Sequence, residues 1–304
     1  MEKSRQEEMT KRYQEALDSF LDKIKPDPNV IAVLLSGSLA YDQVWEKSDI
    51  DLTIIVRDQN LKNDSFCIVE DDITMNASLI ARSAFKRHLE SLGGGSFGHS
   101  FYSKGKFIYS TEESLYEYFE EYKKMGRDDI SFSVFYSACE LIYYHDKSLK
   151  WLEVKEDPLY AQYYLLKAAE PIARMELCIN GEIPTREAIG KASQKNPRLL
   201  SAYYQEAMSH HYNTNDIRNS IKEMEHYLEL HLDIIKKPVV DYMSDGEIKT
   251  ITMIAKFFHV EDHYIVEMLE FLAEMGIIMK LSQTIRITPK SKLAVEEIAY
   301  QYVT

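Results

Sequence analysis

The chain has 304 residues, of which 45% are apolar and 28% charged, and its formal net charge is −13 at pH 7. That length exceeds one average domain, and the composition excludes disordered, fibrous and membrane-embedded classes. The acidity is spread along the chain with no basic block, which speaks against a phosphate backbone as partner. Three widely separated cysteines, Cys67, Cys139 and Cys178, fit neither a disulfide framework nor a metal-ligand spacing. With no apolar leader-like segment at Met1–Glu8, the expected location is the cytoplasm.

Met9, Tyr13, Ala16, Leu17, Phe20, Leu21 and Ile24 recur at helical spacing, and Pro26-Asp27-Pro28 ends that helix. Val30–Leu35 is an unbroken apolar run too short for a helix, which predicts a strand covered on both faces. Ser36-Gly37-Ser38 ends it and opens a short helix through Tyr41 to Trp45. A second strand is expected from Ile50 to Val56, then a hairpin of Phe66–Glu70 and Ile73–Ile80 turning at Asp71-Asp72. A helix over 82–92, a glycine-rich loop, a strand at Lys106–Ser110 and a helix from Glu112 to Lys124 close this α/β unit, residues 1–125.

Residues 126–239 read as helical almost throughout. Phe132, Phe135, Tyr136, Cys139, Ile142 and Tyr143 form one stripe, and Tyr164, Leu165, Ala168, Ile172, Met175 and Leu177 a second, ended by Asn180-Gly181. The many tyrosines here either line a ligand cleft or pack helices with their hydroxyls reaching water. Residues 240–304 read as a separate small domain. Ser244-x-x-Glu247 predicts a capping box before a helix beginning at Ile248, and a second helix runs from Asp262 to Met275. An alternating hairpin follows over Ile277–Ile287, and Pro289 leads into a final helix; the order resembles a winged helix.

The chemistry concentrates at two short segments. Gly37 has no Cβ, so backbone N–H groups at a strand-to-helix junction can approach a phosphate, and Ser38 adds a hydroxyl. Asp49 and Asp51 stand two apart on a strand, so both carboxylates leave one face while Ile50 and Leu52 turn to the core. Two close carboxylates repel unless a cation joins them, and hard oxygen ligands suit Mg²⁺ with triphosphate oxygens completing its shell. A phosphate cradle beside such a pair is what nucleotidyl transfer requires. Arg82, at the end of the strand that carries Asn76, either reaches a phosphate or forms a surface salt bridge.

Leu34-Leu35-Ser36-Gly37-Ser38 and Ser48-Asp49-Ile50-Asp51-Leu52, with ten residues between Ser38 and Asp49, together resemble the motif of the DNA polymerase β type nucleotidyltransferase superfamily. Because a helical region follows, the chain looks most like the bacterial branch that includes aminoglycoside nucleotidyltransferases. The resemblance implies an α/β nucleotidyltransferase domain with a mixed sheet, an all-α domain beside it, Mg²⁺ as cofactor and a nucleoside triphosphate, ATP by preference, as substrate. It also implies a third carboxylate on a later strand. In Ile73–Leu79 the polar face is Thr74, Asn76 and Ser78, so the slot falls on Asn76, a neutral ligand that cannot take a proton. Members of that branch draw an acid from the helical domain, for which Glu140 is the candidate base; a solvated or capping glutamate is the competing account.

Gly93–Gly98 matches G-x-G-x-x-G in letters but follows a helix instead of a strand, the reverse of a dinucleotide-binding turn. His145-Asp146 and His210-His211 lack partners at metal spacing and are expected to be exposed or at helix ends. The sequence therefore predicts a Mg²⁺-dependent transferase of nucleoside monophosphate, adenylyl by preference, to a small or cationic acceptor. The alternatives are a protein or transfer RNA acceptor, and a nucleotide-sensing regulator that signals through its tail. That tail is expected to pack on the helical region or contact a protein, and not to bind DNA.

Overall fold

The computed structural model describes residues 3–40, 44–91, 105–122, 127–185, 187–288, 290 and 292–303. The chain divides into two compact units, Met1–Gly126 and Arg127–Thr304.

The first unit is a five-stranded mixed sheet with helices on both faces. Its strands are β1 (Val30–Ser36), β2 (Ile50–Val56), β3 (Ser65–Glu70), β4 (Ile73–Ala81) and β5 (Lys106–Ser110), in the order β3-β4-β2-β1-β5. Only β2 and β4 run parallel; the other pairs are antiparallel. The period of two decides which side chains meet which helix. Val33, Leu35, Ile50, Leu52, Met75 and Ala77 face α1 (Lys3–Ile24), which buries Tyr13, Ala16, Leu17, Phe20 and Leu21 against them. Burying such large side chains contributes roughly 1.5–3 kcal/mol each. Leu34 and Ile55, on the opposite face, meet Phe85 and Leu89 of α3 (Arg82–Ser91) and Leu115 and Phe119 of α4 (Glu113–Tyr122). Asp71 and Asp72 turn β3 into β4 with both residues at positive φ, 48° and 60°.

The second unit opens with two long helices, α5 (Arg127–Glu153) and α6 (Pro158–Ile179), packed along each other. Then come α7 (Ala188–Lys195), α8 (Pro197–Leu200), a widened turn at Ser201–Gln205, α9 (Glu206–Ser209), α10 (Thr214–Leu230) and α11 (Leu232–Tyr242). The tail adds β6 (Lys249–Thr250), α12 (Ile251–Phe258), α13 (Asp262–Glu274), β7 (Met279–Ile285) and β8 (Val295–Gln301), with a small sheet in the order β6-β8-β7.

Four expectations need correction, and others fall outside the described residues. The hairpin expected within Ile277–Ile287 is one continuous strand, β7, and Val295–Gln301 is not a helix but its partner strand β8, because the two pair from Met279↔Gln301 to Ile285↔Val295. The helix expected at Ile248 starts at Ile251, because Thr250 caps it by accepting from Met253 N at 3.3 Å; Ser244 instead closes a turn onto Asp241 O. His145 is neither exposed nor terminal: it lies inside α5, bonded to Asp146 Oδ1 at 2.8 Å and Glu225 Oε1 at 3.0 Å. Burial lowers its pKa, but those two carboxylates outweigh burial and hold it above the ordinary value. The short helix α2 is described for Gly37–Ala40, and its expected course through residues 41–43 lies outside the described residues, as do Gly93–Gly98 and Pro289.

Candidate functional site

Strand register builds the site. Asp51 of β2 pairs with Ser36 at the end of β1 on one side and with Asn76 of β4 on the other. Residues directly opposite across a sheet share a face, so Ser36, Asp51 and Asn76 form one row. That row lies on the face that carries Leu34 and Ile55, away from α1. Asp49 precedes β2 by one residue, two before Asp51, and is half-buried.

Gly37 follows Ser36 with φ at 73°, the left-handed region in which glycine carries no steric penalty. A Cβ placed there would overlap the Asp51 carboxylate outright and lie 3.2 Å from Asp51 Cγ. The acid is thus seated against the glycine backbone, and any other residue at position 37 would displace it. Gly37 opens α2, with Ser38 half-buried beside it. Asn76 donates from Nδ2 to Asp49 Oδ2 at 2.5 Å, so a neutral amide spans the two strands and offsets part of the charge the carboxylates concentrate.

A residue that sequence reasoning missed fixes the approach to Asp49. The hydroxyl of Tyr13, which is buried in α1, donates to Ser48 O at 2.8 Å and Trp45 O at 3.2 Å. Gln6 Nε2 donates to Val44 O at 2.6 Å, and Trp45 N donates to Ser48 Oγ at 3.1 Å. Burial raises the Tyr13 pKa; Arg12 lowers it and the Asp49 charge raises it further. The sequence showed Tyr13 only as one more apolar-face residue, because its partners stand 32 and 35 positions away.

The remaining candidates are engaged by partners of their own. Arg82 begins α3 and donates from Nε to Glu112 Oε2 at 2.6 Å, so its guanidinium is engaged in the salt-bridge alternative. Glu140 belongs to α5 in the second unit, where its Oε2 accepts from Arg174 Nη2 at 2.6 Å. It is therefore an ion-paired glutamate and not a helix cap. The tyrosines divide: Tyr143, Tyr144 and Tyr164 pack ring against ring. Tyr160 and Tyr163 line a cavity of about 360 Å³ with Leu159, Met208, His210 and His211.

The donor set fits a hard divalent cation: two carboxylates and an amide carbonyl share one face beside a backbone cradle. Among the described residues no group of three or more His, Cys, Asp or Glu side chains is placed to hold a metal ion. A cation here would therefore complete its shell with phosphate and water oxygens.

Residues 19–114 match the family model described as Polymerase beta, Nucleotidyltransferase. The crystal structure of a nucleotidyltransferase-like protein from Exiguobacterium sibiricum 255-15 is similar with a TM-score of 0.66 at 15% identity, over 96% of this chain and 100% of that one. At that identity the likeness is one of fold. A search of curated proteins gave no match. Together these support an α/β nucleotidyltransferase domain in the first unit, with nucleotidyl transfer as its general chemistry. No helix among the described residues is long and apolar enough to cross a membrane.

Proposed function

We propose that the first unit binds a magnesium–nucleoside triphosphate, ATP by preference, and that the protein transfers its nucleoside monophosphate to a small or cationic acceptor, as the resemblance to aminoglycoside nucleotidyltransferases suggests. The observation that carries this reading is the Asp51 carboxylate seated against Gly37 while Asn76 holds Asp49 on the same face. Gly37 and Ser38 would hold phosphate oxygens through N–H and hydroxyl donors. Asp49 and Asp51 would hold the cation, with the Asn76 carbonyl as a neutral third ligand. The cation, when bound, would neutralise the facing carboxylates and the phosphate charge. Arg82 would join the phosphates on leaving Glu112, and Glu140, released from Arg174, would take the acceptor proton. A bond from acceptor oxygen to the α-phosphorus would form as pyrophosphate leaves.

Two features favour a second reading, a nucleotide-sensing regulator. Asn76 cannot take a proton, and Glu140 is already engaged by Arg174. A protein or transfer RNA acceptor is a third possibility, and the net charge of −13 weighs against the RNA. The tail, ordered helix, strand, helix, helix, strand, strand from α11 onward, fits a winged-helix module. Its α13 carries Asp262, Glu267, Glu270 and Glu274 with no Lys or Arg, which favours a protein partner over DNA.

Replacing Asp49 and Asp51 together by Asn should abolish Mg²⁺-dependent ATP binding in titration calorimetry and leave the fold intact, since two like charges need their cation more than the fold needs them. Retained metal-dependent affinity in the double variant would overturn the assignment. Pyrophosphate release, screened with each triphosphate against aminoglycosides, proteins and transfer RNA, separates transferase from regulator.

A further inference from the structure

Ser36 is 1% exposed, and its Oγ is a buried polar atom with no hydrogen-bond partner among the described residues. It ends β1 two residues after Leu34, on the same face, where the layer below is apolar. A hydroxyl there is out of place unless something satisfies it, because burying an unpaired polar group is unfavourable. Ser36 and Asp51 are directly opposite in register, which puts their Cβ atoms about 4.5–5.5 Å apart. Of the two residues in register with Asp51, Asn76 is exposed and has one of its two amide N–H groups engaged by Asp49, while the Ser36 hydroxyl is buried without an acceptor. The Asp51 side chain leans toward Gly37, with Cβ 3.4 Å and Cγ 3.2 Å from where a Gly37 Cβ would stand.

We infer that Ser36 is a positioning residue for Asp51: its hydroxyl donates to the Asp51 carboxylate once a divalent cation draws that carboxylate off Gly37. The inference rests on the magnesium–triphosphate reading above. In that state a carboxylate oxygen, which accepts at more than one lone pair, satisfies the buried hydroxyl and gains a charge-assisted bond. Ser36 thereby favours the metal-holding position of Asp51 over the position against Gly37. The serine is destabilising for the empty fold and stabilising for the loaded one, so its removal moves stability and binding in opposite directions.

Ser36→Ala on the full chain should weaken Mg²⁺-dependent ATP affinity about ten-fold, as loss of a hydrogen bond to a charged group does, with a melting midpoint raised in EDTA. ATP affinity in EDTA should match the wild type, because the effect runs through the cation. Ser36→Thr, which keeps the hydroxyl, should restore the Mg²⁺-dependent affinity. An unchanged affinity in Ser36→Ala, or equal losses with Mg²⁺ and with EDTA, would overturn the proposal. The comparison of Mg²⁺ with EDTA decides even if threonine crowds the strand end. The Asp49→Asn, Asp51→Asn double variant separates the levels. If it keeps metal-dependent binding, the triphosphate reading fails and Ser36 falls with it. If it loses binding while Ser36→Ala does not, Ser36 alone fails.

Discussion

Asn76 sits beside two acids as a neutral side chain, and its N–H donation to Asp49 makes it a tie as well as a neighbour. Asn76→Asp removes that donor and adds a third charge to a row already holding Asp51 in register. Without metal the change should lower stability, because a hydrogen bond is lost and a like charge is added beside Asp49 and Asp51. Mg²⁺ should recover the loss, since three carboxylates hold it more tightly than two, and any transfer rate should rise. Melting in EDTA and in Mg²⁺ measures the first part, and pyrophosphate release the second. Equal midpoints for variant and wild type in EDTA would show that the amide does not tie Asp49. Loss of existing activity would make the amide part of the working site. The sequence singled out Gly37, Asp49 and Asp51 by local rules, glycine geometry and a period of two, and Asn76 only through the resemblance that implies a third ligand on a later strand. Tyr13 and the unpartnered hydroxyl of Ser36 depend on cross-strand register and long-range contact, which a single sequence does not display.

Among the elements, α1 has to be held against the sheet for Tyr13 to reach the loop ahead of Asp49. Its apolar face does most of this, and Glu70 at the end of β3 adds a polar clasp: Lys23 Nζ donates at 2.6 and 2.7 Å and Ser19 Oγ at 2.6 Å. The hydrogen bond from Lys23, then that from Ser19, lowers the Glu70 pKa. A pKa lowered in the folded state stabilises above the unfolded value, and that contribution is lost as pH falls through the folded value. The stability advantage of wild type over Glu70→Gln should therefore be complete above the ordinary glutamate value of about 4.3 and shrink below it. Urea midpoints of both proteins from pH 7 to pH 3 test this, and a gap that is constant or widens toward acid would refute it. Elements with a strong local pattern, such as β2 and β5, lay where the pattern put them. β8 did not, because Val295–Gln301 carries helix-compatible Glu, Ile and Ala and becomes a strand only by pairing with β7. Local propensity is a weak prior against such pairing.

At the scale of the whole molecule, the tail joins the core of the second unit through α5. Phe258 at the end of α12 packs its ring 4.8 Å from Phe135 and 6.2 Å from Phe132, and its carbonyl accepts from the Tyr136 hydroxyl at 2.8 Å. Farther along α5, Tyr143 meets His263 and Tyr264 of α13 at 5.0 and 5.1 Å. The sequence marked a change of pattern near residue 240, yet it carried no sign of which stripe on α5 the tail would cover, since that stripe reads the same whichever element buries it. Phe258 is 1% exposed, so Phe258→Ala should cost about 3–5 kcal/mol. The chain has two tryptophans, Trp45 in the first unit and Trp151 in the second. In a Trp45→Phe background the fluorescence of Trp151, near the end of α5 with its ring centroid 4.1 Å from that of Tyr160, reports on the second unit alone. If tail and long helices share one cooperative core, Phe258→Ala should shift the Trp151 denaturation midpoint as far as it shifts the loss of helical circular dichroism from that unit. An unmoved Trp151 midpoint, with an early and partial loss of dichroism, would instead show that residues 240–304 unfold as a domain of their own.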